Sequence, residues 1–331
     1  MTRSLHRRSC LRVALGAAAL VAGARGHAQG DPARFPDKPV RIVLPYPPGG
    51  LSDVLARFIG QKLSERWRQQ VVVDNRPGGG TVPGASAVQK SAPDGLTLLL
   101  HNNTHVINAH LIPNLPYSPI RDFTPVSMLA TSAYLMLAKP QLPARTFQEF
   151  VALAKAEPSK FNFGTHGPGG LTHVAAEMLN AAAGIRMEIV QYKGAGPALN
   201  GILAGDIDVY FDAPATTLQH VQSGRLRALG ISGRTRLPSL PQVPTLAEAG
   251  VSGYDVTIWY GLLGPAGVPE ALVTRINNDV GAVLAQPDVR ERLESLGVGA
   301  FPLPPASFAQ LMRSDDERYG RIIRQANIKA G

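Results

Sequence analysis

Short apolar runs alternate with amphipathic segments along the first part of the chain. Val40–Leu44, Val71–Val73 and Leu96–Leu100 consist largely of aliphatic residues, which predicts buried strands. Between them, apolar residues recur at helical spacing over 54–67, and the alanine-rich segment 82–90 predicts a second helix. Such alternation is typical of parallel sheets with helices on both faces.

The same alternation continues through the second half. The predicted strands are Tyr134–Ala138, Phe161–Gly164, Met187–Gln191, Ile207–Phe211, Leu226–Ile231 and Val256–Leu263. Thr146 and Glu149 have the spacing of a capping box, which predicts a helix start, and further helices are predicted at 171–182 and 197–203. The last part of the chain is predicted to be mainly helical. The fold class is therefore α/β, with parallel-rich sheets flanked by helices.

The first 28 residues predict a secretory signal peptide. Four arginines precede an apolar run at Val13–Ala24 that is too short to cross a membrane. Gly26 and Ala28 supply the small residues of a cleavage site after Ala28. The segment Arg7–Arg12 also has the appearance of a twin-arginine motif, so both the twin-arginine and the general secretory route stay open. The expected location is the periplasm.

Composition narrows the class of protein once that segment is removed. The full sequence has 331 residues, a net charge of +9 and one cysteine, Cys10. Removing residues 1–28 removes five arginines and no acidic residue, which lowers the net charge to +4. No basic run remains, so nucleic acid is not an expected partner. No cysteine remains for a disulfide, and about 300 residues suit two domains.

Two crossings of the chain define the expected domains. We place the first crossing near Met128–Ala133 and the return near Tyr254–Tyr260. Lobe 1 is then discontinuous and contains residues 29–130 and 256–331, whereas lobe 2 contains residues 131–255.

Four glycine-rich loops each join a predicted strand to a predicted helix. They are Leu44–Asp53, Gly78–Thr81, Gly164–Gly170 and Tyr192–Pro197. In open α/β sheets, ligands bind beyond the carboxyl ends of strands, where helix N-termini offer unpaired N–H groups to an anion. One such loop is often only a turn, but four together favour a site for a carboxylate. Ser52 or Asp53 is expected to cap the helix after the first loop.

Patterns of catalysis and of cofactor binding are absent from the sequence. There is no GxSxG, HExxH, CxxC, dinucleotide fingerprint or phosphate-binding loop, and the eight histidines show no metal-binding spacing. We therefore expect no cofactor and no metal. An enzyme using His101, His166 and Asp212 is the rival interpretation, although no nucleophile–base pair is evident among them.

Six segments carry a resemblance to the Bug-type (TctC-like) periplasmic receptors of tripartite tricarboxylate transporters. They are FPDKPVRIVLPYPPGGLSDVLAR (35–57), VVVDNRPGGGTVPGASAV (71–88), YSPIRDFTPVSML (117–129), YKGAGPALNGILAGDIDVYFD (192–212), SLPQVPTLAEAG (239–250) and WYGLLGPAGVP (259–269). The resemblance implies a two-lobed clamshell that closes on a ligand in the interdomain cleft, without catalysis. It also implies a monomer that delivers the ligand to large and small integral membrane subunits. A receptor that presents its ligand to a sensor domain is the alternative.

The resemblance also implies a binding site between two facing loops, Pro45–Asp53 and Gly164–Leu171, whose main-chain N–H groups and ordered waters hold one carboxylate. The expected ligand-binding residues are Tyr46, Pro48, Gly49, Gly50, Ser52, Asp53, Thr81, His101, Asn102, Thr104, Thr165, His166, Gly167, Gly169, Gly170, Leu171, Tyr192, Gly194, Gly196 and Asp212. The family often has a small or hydroxyl residue where His166 stands. This departure suits an aromatic or hydroxylated acid beside the dicarboxylates and amino acids that the family suggests.

Overall fold

The computed structural model describes residues 34–325 and 327–329, so the predicted signal peptide lies outside the described residues. Two mixed sheets organise this part of the chain. The first has six strands in the order β11-β4-β10-β3-β1-β2. Its strands are β1 (Val40–Leu44), β2 (Val71–Asn75), β3 (Thr97–Asn102), β4 (Phe123–Ala133), β10 (Thr257–Pro265) and β11 (Val298–Leu303).

The second sheet has five strands in the order β7-β6-β8-β5-β9. They are β5 (Leu135–Ala138), β6 (Asn162–Thr165), β7 (Glu188–Gln191), β8 (Val209–Asp212) and β9 (Arg227–Ile231). All five come from one continuous stretch of chain, whereas the six-stranded sheet uses segments before and after it. The polypeptide therefore passes from one sheet to the other and back.

Ten α-helices connect and cover the strands in the described residues. They are α1 (Leu51–Trp67), α2 (Val82–Gln89), α3 (Thr104–Leu111), α4 (Phe147–Ala156), α5 (Leu171–Ala183), α6 (Ala195–Ala204), α7 (Pro214–Gln222), α8 (Glu270–Leu284), α9 (Pro287–Ser295) and α10 (Pro305–Gln325). A short 3-10 turn, Gly79–Thr81, precedes α2. The capping box at the start of α4 is confirmed, because Thr146 Oγ1 accepts a hydrogen bond from the Glu149 N–H at 3.2 Å.

Strand pairing is parallel only where a helix joins the strands. β1 pairs in parallel with β2 and β3, and β6 pairs in parallel with β7 and β8. The strands that carry the chain between the sheets pair antiparallel: β10 with β3 and β4, and β5 with β8 and β9.

Three local predictions need correction. The first expected crossing, Met128–Ala133, is the end of the eleven-residue strand β4, and Val298–Leu303 is a strand in a region predicted to be mainly helical. The pairing of β11 with β4 supplies main-chain hydrogen bonds that no local pattern reveals. Helix α1 begins at Leu51, so Ser52 and Asp53 lie inside its first turn and do not cap it; Gly50 is the N-cap.

The two crossings lie side by side between the sheets. Tyr134, between β4 and β5, donates its N–H to Ser232 Oγ at 2.9 Å, and the Ser232 hydroxyl donates to the Val256 carbonyl at 2.9 Å. The Tyr254 hydroxyl donates to the carbonyl of Ala175 on α5 at 2.8 Å. These buried contacts join both crossing segments to the part of the chain that forms the five-stranded sheet.

Candidate functional site

Three of the helices that follow carboxyl ends of strands begin at a glycine and have no side-chain cap. Helices α1, α5 and α6 have Gly50, Gly170 and Gly194 as their N-caps, and none of these helices has a side-chain capping hydrogen bond. Their first-turn N–H groups therefore remain available to a ligand, and the helix dipole favours a negative charge there. The sequence predicts these loops as a carboxylate site, and the geometry at each helix start fits that role.

Asp53 holds the first loop in shape. Its carboxylate accepts hydrogen bonds from the Gly49 N–H at 3.2 Å, from Asn75 Nδ2 at 2.9 Å and from Arg57 Nε at 3.1 Å. Burial opposes ionisation, but these hydrogen bonds outweigh it and hold the pKa of Asp53 below its usual value. Asn75 also donates to the Tyr46 carbonyl at 3.1 Å. The Asp53 carboxylate thus accepts hydrogen bonds from neighbours within and beside the loop that it was expected to line.

A hydrogen-bonded chain runs from Tyr46 to Thr81. The Tyr46 hydroxyl donates to Asn102 Oδ1 at 2.8 Å and lies 3.2 Å from His101 Nδ1. Because His101 Nδ1 accepts the Asn102 N–H at 2.9 Å, the proton of the neutral ring is on Nε2, which lies 3.1 Å from Thr81 Oγ1. Burial and the neighbouring His105 lower the pKa of His101 well below its usual value. His101 is fully buried and holds other residues in position.

Asn102 has a defined orientation in this chain. Its Oδ1 accepts both the Tyr46 hydroxyl and the Thr104 N–H, the latter at 2.9 Å. Two donors fix the carbonyl end of the amide, so the Nδ2 group is the end that remains to donate. Asn102 thus supplies a hydrogen-bond donor at the carboxyl end of β3, where the predicted site lies.

The opposite loop contains a polar cluster around His166. Its Nε2 lies 2.8 Å from the Tyr210 hydroxyl and 3.7 Å from Asp212 Oδ1. Burial lowers the pKa of His166 to about 4, so the ring is neutral at pH 7. Burial raises the pKa of Asp212 to about 7, although hydrogen bonds from the Ala213 N–H and the Thr216 hydroxyl act against this shift.

Three tyrosines from different segments lie near one another: Tyr46 in the loop after β1, Tyr134 between β4 and β5, and Tyr260 in β10. Burial raises the pKa of Tyr134, and the phenols of Tyr260 and Tyr46 and the Asp212 carboxyl add to the shift. Burial and Asp212 likewise raise the pKa of Tyr260. The sequence-based prediction missed Tyr134 and Tyr260. The one available signal was an aromatic residue with a polar tip at the end of the predicted return segment, for Tyr260, and directly after the predicted first crossing, for Tyr134.

The remaining predicted residues divide by exposure. Pro48, Gly49 and Gly196 are exposed, whereas Gly50, Ser52, Gly167, Gly170 and Gly194 are half-buried. Thr104, Gly169 and Leu171 are buried near the helix starts. Two side chains point elsewhere: the Thr165 hydroxyl donates to Gln191 Oε1 at 2.6 Å, and the Tyr192 phenol lies against Gly201 on α6. Only the main chains of Thr165 and Tyr192 can contribute to the predicted site.

The enzyme interpretation required His101, His166 and Asp212 to act together. His166 and Asp212 are neighbours, but His101 belongs to the separate hydrogen-bonded chain of Tyr46, Asn102 and Thr81.

Within residues 34–325 and 327–329, no group of three His, Cys, Asp or Glu side chains could hold a metal ion. The helices of that part of the chain include none with the length and apolar character that crossing a membrane requires.

Comparison with a known family identifies the chain's relatives. The model of the tripartite tricarboxylate transporter family receptor, TctC, matches residues 55–328. Protein BugT of Bordetella pertussis is 30% identical over 297 residues, covering 89% of this chain and 91% of BugT. The match extends through both sheets, which agrees with the resemblance seen in the loops.

Solved structures of similar proteins carry small acids. MatC of Rhodopseudomonas palustris with bound malate is 33% identical to this chain, with a TM-score of 0.79 over 87% of this chain and 100% of MatC. An R. palustris protein with adipate is 29% identical, with a TM-score of 0.83 over 89% of this chain and 99% of that one. The predicted α/β, two-lobed binding-protein fold is confirmed by these likenesses. The chain belongs to the TctC family of tripartite tricarboxylate transporter receptors, as the Bug-type resemblance of its loops implied.

Proposed function

We propose that this receptor captures a small carboxylate, either a dicarboxylate, an amino acid or an aromatic acid, and delivers it to the membrane subunits of a tripartite tricarboxylate transporter. It acts from the periplasm as a monomer after cleavage of the signal peptide, and it catalyses no reaction. Its relatives with bound malate and adipate support this class of ligand.

One observation carries the proposal: polar groups from both sheets converge beside uncapped helix starts. Tyr46 precedes α1, and burial together with the neighbouring phenol of Tyr260 raises the pKa of its hydroxyl, whereas burial and Asp212 raise the pKa of Tyr260. Asp212 in turn adjoins His166, in the loop before α5. None of the predicted ligand-binding residues is Lys or Arg. Main-chain N–H groups would therefore supply the positive potential for the carboxylate.

Closure would occur between two lobes, one built on the six-stranded sheet and the other on the five-stranded sheet, whose strands run from Leu135 to Ile231. The crossing segments at Tyr134 and Val256 form the hinge, because they connect the sheets and are tied to each other through Ser232. A ligand that contacts both lobes stabilises the closed form only as far as it binds that form better than the open one. The closed form is the one that the membrane subunits would recognise.

A thermal-shift panel of aliphatic diacids, citrate, acidic amino acids and aromatic acids tests the proposal. An acid at 100 times its Kd should stabilise the mature protein by about 2.7 kcal/mol. Stabilisation by one class of acid supports a carboxylate receptor. A flat response over the whole panel argues against a carboxylate ligand.

Matched glycine variants test whether the first loop binds the ligand. Gly49 and Gly267 have φ values of 93° and 86°, and an added Cβ would meet no atom within 4 Å at either position. Alanine should cost about 1–2 kcal/mol of stability at each position because of the left-handed backbone. Only Gly49→Ala should also weaken binding of the acid that the panel identifies. An equal loss of affinity in Gly267→Ala would refute the placement.

A further inference from the structure

Asp212 is the acidic group that lies between the two halves of the proposed site. It ends β8 and is 2% exposed. Its Oδ1 accepts the Ala213 N–H at 2.8 Å, and its Oδ2 accepts the Thr216 hydroxyl at 2.9 Å. A carboxylate oxygen can accept more than one hydrogen bond, so each oxygen retains capacity for a further donor.

No described side chain around Asp212 provides a compensating positive charge. Those that interact with it are His166 from the loop before α5, Tyr210 on β8, Tyr134 between β4 and β5, and Tyr260 on β10. The pKa of His166 is lowered by burial to about 4, so the imidazole is neutral when the receptor works near pH 7. A ligand carboxylate placed against ionised Asp212 would therefore meet like charge in a buried setting.

The opposite side of the site is rich in donors. Asn102 directs its Nδ2 group away from the two donors that hold its Oδ1, and α1 begins with uncapped N–H groups. Main-chain donors thus reach the site from both sides, at the starts of α1, α5 and α6, Asn102 adds a side-chain donor on the side of the six-stranded sheet, and Asp212 is an acceptor on the side of the five-stranded sheet.

We propose that Asp212 determines ligand specificity by accepting a hydrogen bond from a hydroxyl or ammonium group that the ligand carries beyond its carboxylate. The receptor then prefers hydroxy acids or amino acids to plain acids of the same skeleton. This inference rests on the proposed function and narrows its ligand class. A plain diacid that places a carboxylate against Asp212 favours the protonated form of Asp212, which becomes scarcer as the pH rises.

A matched series of four-carbon acids tests the preference. Succinate, L-malate and L-aspartate differ in bearing hydrogen, hydroxyl or ammonium at carbon 2. Titration calorimetry at pH 7 should give an affinity for malate or aspartate about tenfold or more above that for succinate. Benzoate and 4-hydroxybenzoate form a second pair, for a site that takes an aromatic skeleton.

The pH dependence of wild-type binding distinguishes an ammonium donor on the ligand from a hydroxyl donor, and it needs no variant. Affinity for aspartate should rise between pH 6 and pH 8, because the ammonium pairs with Asp212 as that carboxyl ionises with a pKa of about 7. Affinity for malate should change less, because a neutral hydroxyl can donate to the ionised form and accept from the protonated form. Affinity for succinate should fall as the pH rises.

Asp212→Asn should bring the affinities for donor-bearing and plain acids to within about threefold of each other, since the amide accepts more weakly than a carboxylate. Asp206→Asn is the matched control, because Asp206 is exposed and lies on the N-terminal side of β8. It should leave the preference unchanged.

The outcomes separate this inference from the proposed function. Succinate or adipate binding as tightly as every donor-bearing acid, or a preference unchanged in Asp212→Asn, overturns the role of Asp212 and leaves the receptor intact. The absence of binding by every acid in the panel overturns both.

Discussion

Replacement of Asp53 should loosen the first loop through its main-chain contacts, with little contribution from the ion pair with Arg57. Asp53→Asn keeps the size of the side chain but turns one acceptor into a donor. In the folded protein both carboxylate oxygens accept hydrogen bonds, so the amide nitrogen must face either the Gly49 N–H or Asn75 Nδ2. One favourable contact is lost, and two donors are brought together.

The magnitude follows from the exposure of each partner. Asp53 is 6% exposed, and a hydrogen bond to a buried charged acceptor contributes about 1.5–3 kcal/mol. The side chain of Arg57 is 53% exposed, so solvent screens its ion pair with Asp53 and the pair contributes little to stability. We expect Asp53→Asn to lower the free energy of unfolding by about 2 kcal/mol and Arg57→Gln by less than half as much.

Urea denaturation measures the two stabilities, and titration calorimetry measures the affinity for the acid that the panel identifies. Asp53→Asn should also weaken binding, by about tenfold, because Gly49 and the uncapped start of α1 lose their fixed geometry. Arg57→Gln is the control, since it leaves the bond from the Gly49 N–H in place and removes the bonds from the Arg57 side chain to Asp53 and to Asn75 Oδ1. Equal losses of stability in the two variants would show that the ion pair, and not the loop contacts, supports this part of the fold.

Three further predictions concern other parts of the molecule. Gly84→Ala places a Cβ 2.8 Å from Pro45 Cβ and 3.0 Å from Pro45 Cα, so the first loop must shift. Calorimetry should then show weaker acid binding, while circular dichroism shows that the helices are retained. Gly297→Ala places a Cβ 2.5 Å from the Cβ of Pro214, which follows a strand of the other sheet. Small-angle scattering should show that the radius of gyration decreases less on ligand binding in this variant than in wild type. The fully buried His105 has a pKa of about 4, so the unfolded chain binds more protons between pH 4 and pH 6.5, and stability present above pH 6.5 is lost as the pH falls. Urea denaturation should show that the free energy of unfolding falls less between pH 6.5 and pH 4 in His105→Gln than in wild type, by up to about 3 kcal/mol. An unchanged pH dependence would contradict the lowered pKa of His105.

The sequence by itself determined the elements that depend on local pattern. The apolar run Val40–Leu44 is a strand with the predicted bounds, and the capping box at Thr146 begins a helix, because burial periodicity and end-capping act within a few residues. The glycine-rich loops were also predicted from the sequence, since glycine marks the turns from strand to helix. The family resemblance rested on these same loops and was confirmed.

Tertiary structure decided the strand pairing and the partners of each polar side chain. β11 and the antiparallel strands at the crossings exist because distant segments satisfy their main-chain hydrogen bonds, which no local pattern encodes. The sequence predicted that Asp53 and His101 line the site, and the structure adds their partners: Asp53 holds Gly49 and Asn75, and His101 supports Tyr46 and Thr81. The choice between contacting a ligand and holding a loop depends on neighbours far apart in sequence. For the same reason, only the fold could bring Tyr134, Tyr260 and Asp212 together: a buried charge takes its chemistry from the groups packed around it, and those groups come from different strands.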